Sequence, residues 1–466
     1  MTTHLRRAGF TSAALVALVA AASAPATAAP ATGTDAAASF LAGQFAAGGH
    51  QLSSTYAGQT YLDAGLSADG ILALTSAGVA GNEAGAATTA FAKGVGDYAM
   101  PGTDVYAGAV AKSLIVAKAQ GQNPRAFGGV DLVSKLQGLE KPSGRFSDVS
   151  AYGDYSNAVT QSLAVIALQK AGAPADAKAT NYLLSLRCND GGFRLADDGS
   201  ACVSDPDATS FAVQALAAAG GHGADVTKAV NFLATKQNAD GGVAGGTGTT
   251  TPNANSTGLA AVAFTLGGQG ARAVKAQSFV ASLQYGCSFP AAVRGAIAYD
   301  RTAFAAMKSA GASGKLAGNE TRATSQGLYA FTRAPLVSLT KGGATTTPAI
   351  SCSSEPTSSP STSTSTTSAP KPTTTSSSNS TSTSATPAPT STTSATSTDA
   401  TAAPTSTTSP SEPSTSTVPQ STSTTPATGP IVNTDKVSDN TVPFGFAFGA
   451  VILVTAGGAV AYARRR

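Results

Sequence analysis

Residues 181–220 read NYLLSLRCNDGGFRLADDGSACVSDPDATSFAVQALAAAG, and their reading decides the fold. An apolar-periodic run ends at Arg187. Asn189-Asp190-Gly191-Gly192 breaks it, because glycine supplies the positive φ that such a turn needs. Asp205-Pro206-Asp207 then opens a second run with a side-chain oxygen placed as an N-cap, and Gly220 closes it. The stretch predicts two helices joined by a glycine-rich elbow.

The same grammar recurs along the chain. The first helices end in one column at Gln44, Val95, Gln137, Arg187, Gln237 and Gln284, spaced by 51, 42, 50, 50 and 47 residues. Elbows return at Gly48-Gly49-His50, Gly144-Arg145-Phe146, Gly191-Gly192-Phe193 and Gly241-Gly242-Val243. Second helices end at Gly78, Gly121, Gly172, Gly220 and Gly267. A cap column of Asp63, Asn157, Asp205, Asn253 and Glu320 precedes Ser/Thr-rich helix starts, and Asp104 fits the remaining repeat after a small shift. A period near fifty with two helices per unit predicts an all-α array of about six helical hairpins. SLAVIAL at 162–168, SFAVQAL at 210–216 and GLAAVAF at 258–264 are apolar nearly all round, which suits a buried inner ring.

LSLRCNDGGF, TKQNADGGV and DPDATSFAVQAL resemble the repeats of the α/α toroids. These include terpenoid cyclases, protein prenyltransferase β-subunits, complement thioester domains and cobalamin carriers. The resemblance covers roughly residues 36–339 and implies an α/α toroid, with the helix before the elbow outside and the helix after the cap column lining a central cavity. It does not choose among activities, because these relatives do different chemistry on one scaffold.

The flanks predict an address. Arg6-Arg7, the apolar run 13–22 and the small-x-small site Ala26-Thr27-Ala28 read as a signal peptide over 1–28. The toroid domain is expected over 36–342. Residues 345–430 are Ser, Thr, Pro and Ala with almost no charge or bulk, the composition of a disordered, O-glycosylatable stalk. The twenty-residue apolar run 444–463 is long enough for a transmembrane helix, and the basic tail 464–466 belongs on the cytoplasmic side. Thr425-Pro426-Ala427-Thr428-Gly429 faintly resembles a sortase signal but lacks its leucine. A retained single-pass anchor with the toroid outside a bacterial cell is therefore favoured over sortase attachment to the wall.

Four cysteines in an exported chain predict two disulfides. Three connectivities are open, and a turn at Asp198-Gly199 favours Cys188 with Cys202 and Cys287 with Cys352. Five of the 29 basic residues lie in the signal and tail, leaving 24 against 25 acidic side chains, so no footprint for nucleic acid remains.

Asp205-Pro206-Asp207-Ala208-Thr209 stands where the resemblance to class II terpenoid cyclases would put Asp-x-Asp-Asp-Thr, whose middle Asp protonates an alkene. Asp205 and Asp207 are thus the catalytic candidates, weakened by Ala208 and by the absence of Trp, whose aromatic faces would stabilise a carbocation. The zinc set of Asp, Cys and His that a resemblance to the prenyltransferases would imply is not matched, because neither His50 nor His222 lies near a cysteine, and no cysteine is followed by the Glu-Gln of a thioester. Calcium among Asp190, Asp197, Asp198, Asp205 and Asp207, or a cobalamin, are the cofactor alternatives, and neither is favoured. Helix N-termini converging on one mouth would make a rim for a small molecule, glycan or protein, with Asp63, Tyr106, Tyr155, Asn157, Asp207, Asn255 and Arg322 as its residues. The expectation is a non-enzymatic binding module without a resident cofactor. An isoprenoid-acting enzyme with a degenerate Asp motif is the alternative.

Overall fold

The computed structural model describes residues 33–352, apart from 57, 58 and 247. The signal segment 1–28, all but the first residues of the stretch 345–430, the run 444–463 and the tail 464–466 lie outside the described residues. Among the described residues no helix is long and apolar enough to cross a membrane.

The chain alternates outer and inner helices. α1 (Thr34–Ala47) is outer and α2 (Ala64–Ala77) inner; α3 (Gly81–Lys93) and α4 (Val95–Ala99) are outer and α5 (Ala107–Ala119) inner. Then come α6 (Leu132–Gln137) and inner α7 (Ala158–Ala171), α8 (Ala177–Ser185) and inner α9 (Pro206–Ala219), and α10 (Gly223–Lys236) and inner α11 (Ala254–Leu266). The last repeat has outer α12 (Gly270–Ala281), α13 (Arg301–Ala310) in a long elbow, and inner α14 (Glu320–Gly327) running on into α15 (Tyr329–Thr332). Composition sorts the layers. α9 buries every residue from Pro206 to Leu216, whereas α12 buries only Ala273, Ala276, Phe279 and Val280, one face of a helix.

The inner helices close a ring. α2 packs on α5, α5 on α7, α7 on α9, α9 on α11, α11 on α14, and α14 back on α2. The elbows close it a second time. A Cβ on Gly241 (φ +94°) would stand 2.1 Å from the Lys275 carbonyl oxygen, in the next outer helix α12. Gly295 (φ +85°), in the last elbow, would meet the Ala36 carbonyl oxygen of α1 at the same 2.1 Å. Only glycine combines this φ with so close an approach. The chain is an α/α toroid.

The Ser/Thr-rich helix starts have a defined purpose. Four residues after each cap-column position, a side-chain oxygen accepts a backbone N–H from the preceding elbow. The pairs are Ser67 with Leu52, Gln161 with Phe146, Thr209 with Phe193, Thr257 with Val243 and Thr324 with Ile297, all at 2.9 Å. Each fastens a turn to the inner helix that follows it and satisfies a buried donor.

The cap column holds at Asp63, Asn157, Asp205 and Asn253, each accepting from the first turn of its helix. It fails at two positions. Asp104 does not cap α5; Asp148, from the following elbow, accepts the Ala107 N–H at 2.8 Å instead, so the second repeat borrows its cap from the third. Glu320 is the first residue of α14 rather than its cap, and its carboxylate folds back onto the N–H groups of Ala317 and Gly318. The all-α expectation also missed a short antiparallel hairpin, β1 (Ser53–Tyr56) with β2 (Gln59–Leu62), in the first elbow.

Both disulfides form as the loop geometry favoured, Cys188–Cys202 and Cys287–Cys352, each with Cα atoms 5.6 Å apart. The packed chain continues past 342. The Gly81 and Asn82 N–H groups donate to the Ala344 and Thr345 carbonyls at 3.1 and 2.9 Å, carrying order through to Cys352.

Candidate functional site

A charged residue in a helix buried on all sides has to be paired, and its partner marks where the ring has room. Asp69 on α2 and Lys112 on α5 are such residues, and they meet in an ion pair of 2.6 Å with little solvent contact. Around them opens a cavity of about 570 Å³, counting its mouth. Every inner helix lines it: Asp69 and Leu72, Lys112, Leu163, Phe211 and Gln214, Leu259, then Gln326, with Tyr329 of α15 and Leu336 beyond. Aliphatic and aromatic side chains make the wall, and the polar groups collect at Asp69, Lys112, Gln214, Gln326 and Tyr329.

Two polar atoms there are unused. Gln326 Oε1 and Tyr329 Oη are buried and find no hydrogen-bond partner among the described residues. Burial, with the Asp69 carboxylate nearby, pushes the Tyr329 phenol far above its ordinary pKa, so it stays a neutral O–H donor.

A strap lies over one side of the cavity. After α15 the chain turns at Arg333 (φ +53°) and runs through the short 3₁₀ turn Leu336–Ser338. That turn packs on α5, α7 and α9. The Leu336 N–H donates to Gln214 Oε1 at 3.0 Å. Lys170 Nζ donates to the Val337 carbonyl at 2.9 Å and also to that of Leu339. Burial lowers Lys170 to about 8, with Lys118 adding to the effect, so its charge is held on the strap's carbonyls at neutral pH.

The residues expected at the rim fall into three separate groups. Asp63 and Arg322 form an ion pair of 2.7 Å where α2 meets α14. Burial opposes ionisation of Asp63, but the Arg322 charge, the Ser54 hydroxyl and the Leu66 N–H outweigh it and hold the carboxyl below its usual range. Tyr106, the residue before α5, reaches across to the third elbow, to which Tyr155 belongs. Tyr106 Oη donates to Asp104 at 3.1 Å, and the Tyr155 N–H donates to Asp148 at 3.2 Å. Asn157 caps α7 through the N–H groups of Val159 and Thr160. Asp207 and Asn255 are packed inside the ring, where Asp207 is 2% exposed and Asn255 0%. The Ser256 hydroxyl donates to Asp207 Oδ2 at 3.3 Å. None of these residues lines the cavity.

Asp205 is also buried. Its Oδ1 accepts from the Asp207 and Ala208 N–H groups, and burial raises its pKa. The other aspartates of the fourth elbow are engaged locally, Asp190 by Ser204, Asp197 by Arg194 and Asp198 by Ser200. Among the described residues no group of three or more acidic, His or Cys side chains is placed to hold a metal ion.

Sequence reasoning passed over Asp69, Lys112, Gln214, Gln326 and Tyr329. The available signal was a lone polar residue inside an apolar inner helix, as in SADGILAL around Asp69 and AVAKSLIV around Lys112. Gln161, which has the same signature, is spent on pinning an elbow to its neighbours, so the pattern alone does not separate site from scaffold.

No family model matches the sequence, and no curated protein does. Solved structures do. A type II terpene cyclase, MstE from Scytonema, is similar at 14% identity and a TM-score of 0.48, covering 65% of this chain and 98% of its own. A protein from Actinoplanes gives 15% and 0.45, covering 64% and 98%. A wild-type glycosidase gives 13% and 0.41, covering 65% and 98%. Likenesses this distant do not bear on what this chain binds or makes.

Proposed function

We propose that this chain is an exported cell-surface protein, anchored by its C-terminal apolar run, whose toroid is a non-enzymatic module that binds a small molecule in the central cavity. The observation that carries the reading is the pair of buried, partnerless atoms on Gln326 and Tyr329, two residues of the chamber's wall. Such atoms cost stability until something bonds them, and a ligand is one way to meet the cost. Two disulfides with no free cysteine among the described residues suit an oxidising compartment, which supports export. The test is a thermal-shift screen of the soluble part of the chain, residues 29–352, against cobalamins, polyprenyl phosphates, cell-wall glycans and a library of small amphiphiles. A ligand that binds the native state raises the unfolding temperature with concentration. A Leu163→Trp variant, which fills the cavity, should abolish that rise while folding normally. A hit that Leu163→Trp leaves intact would place binding elsewhere and overturn the cavity reading.

A further inference from the structure

The chemistry of the chamber narrows what it takes. We propose that the cavity is built for a compact, uncharged, lipophilic alcohol, whose hydroxyl lies between Gln326 and Tyr329 and whose hydrocarbon body fills the wall of Leu72, Leu163, Phe211, Leu259 and Leu336. This rests on the cavity being a small-molecule site.

Three observations lead there. First, the charges already present cancel, because Asp69 and Lys112 neutralise each other at 2.6 Å. A charged head group would enter an apolar chamber without a free counter-charge, or would have to break that pair, and either course is costly. Second, the two unused atoms are 6% and 7% exposed by residue and lie three residues apart on a continuing helix, where side chains share a face. Gln326 Oε1 accepts, and the un-ionised Tyr329 phenol donates. A hydroxyl both donates and accepts, so one group meets both needs, and it does so with the Gln326 amide in either orientation. With the amide as the structure places it, a ketone would satisfy the phenol and leave Gln326 Oε1 unmet; a hydrocarbon would leave both. Third, the remaining polar group at the wall is committed, since Gln214 Oε1 holds the Leu336 N–H.

The experiment compares ligands with one rigid body and different heads: 1-adamantanol, 1-methyladamantane, protonated 1-aminoadamantane and 1-adamantanecarboxylate. Affinity for residues 29–352 is measured by calorimetry, with ligand-observed NMR as a second readout. The alcohol should bind at least about tenfold more tightly than the hydrocarbon and than either charged congener, the size expected for satisfying buried polar groups. Tyr329→Phe and Gln326→Leu should each shrink that alcohol-over-hydrocarbon ratio about tenfold, with the thermal unfolding of each unliganded variant confirming that it folds. If the hydrocarbon or a charged congener binds best, and Leu163→Trp abolishes that binding, the ligand class is wrong while the cavity reading stands. If all four bind equally, the two polar atoms are met by water and the class is again wrong. If none of the four binds, the ligand class is wrong, and the thermal-shift screen with Leu163→Trp decides the cavity reading separately.

Discussion

Thr257 shows what a single hydroxyl does in this fold. It accepts the Val243 N–H at 2.9 Å, and with valine in its place that donor would be buried and unmet. Thr257→Val should cost about 1–3 kcal/mol in urea unfolding, with Thr257→Ser recovering most of it. Asp205 works through its cap, so Asp205→Ala should cost about 0.5–2 kcal/mol and Asp205→Asn much less, because Asn caps as well as Asp. Asp207→Asn should preserve the fold. If incubation with squalene or geranylgeranyl diphosphate gave a cyclised product with wild type and none with Asp207→Asn, the enzyme alternative would replace the binding reading. Asp148 carries a pH signature. Burial, with Asp154 adding to it, pushes its pKa up to about 6, above the ~3.9 of an unfolded chain. Between those values the native state holds a proton that the unfolded state has lost. This contribution to stability is therefore full below about pH 4 and gone once pH has risen through about 6. Asp148→Asn should flatten the corresponding fall in unfolding free energy, measured by denaturant titration at successive pH values.

The elbow is the element that turns hairpins into a ring, and Gly241 tests it. Alanine there would combine φ +94° with a Cβ 2.1 Å from a backbone oxygen. Gly241→Ala should cost roughly 2–4 kcal/mol, whereas alanine at Gly43, in an outer helix with nothing near its Cβ, should stabilise by up to about 1 kcal/mol. Elements like this one are written locally. The glycine pair, the cap residue and the hydroxyl that follows lie within about twenty residues of one another, so the sequence exposed them. The second repeat was misread because its cap, Asp148, arrives from the next elbow, more than forty residues from the Ala107 that it serves. The site was hidden for the same reason on a larger scale. Asp69, Lys112, Gln326 and Tyr329 come from three repeats that meet only when α14 returns to α2. Of the residues expected at a mouth, Asp207 and Asn255 are buried.

At the scale of the molecule, each inner helix has a neighbour on both sides and no end faces are left. Unfolding in urea should accordingly be a single transition, coincident by circular dichroism and by tyrosine fluorescence, with a helical spectrum. Separated transitions would mean that the ring opens in parts. The bond between Cys287 and Cys352 has a mechanical consequence. Tension entering from beyond Cys352 crosses that bond to Cys287 and travels on toward Gly33, bypassing residues 288–351. The bypassed segment contains α14, α15 and the strap, and therefore Gln326, Tyr329 and Leu336. Under the proposed anchoring, a pull from that side would reach the first five hairpins and leave this side of the chamber unloaded, so load alone would not strip the strap from its seat. Reduction puts those residues back in the force path. Stretching single molecules with and without reductant should then differ by the slack held in a separation of 65 residues, on the order of 200 Å of contour length.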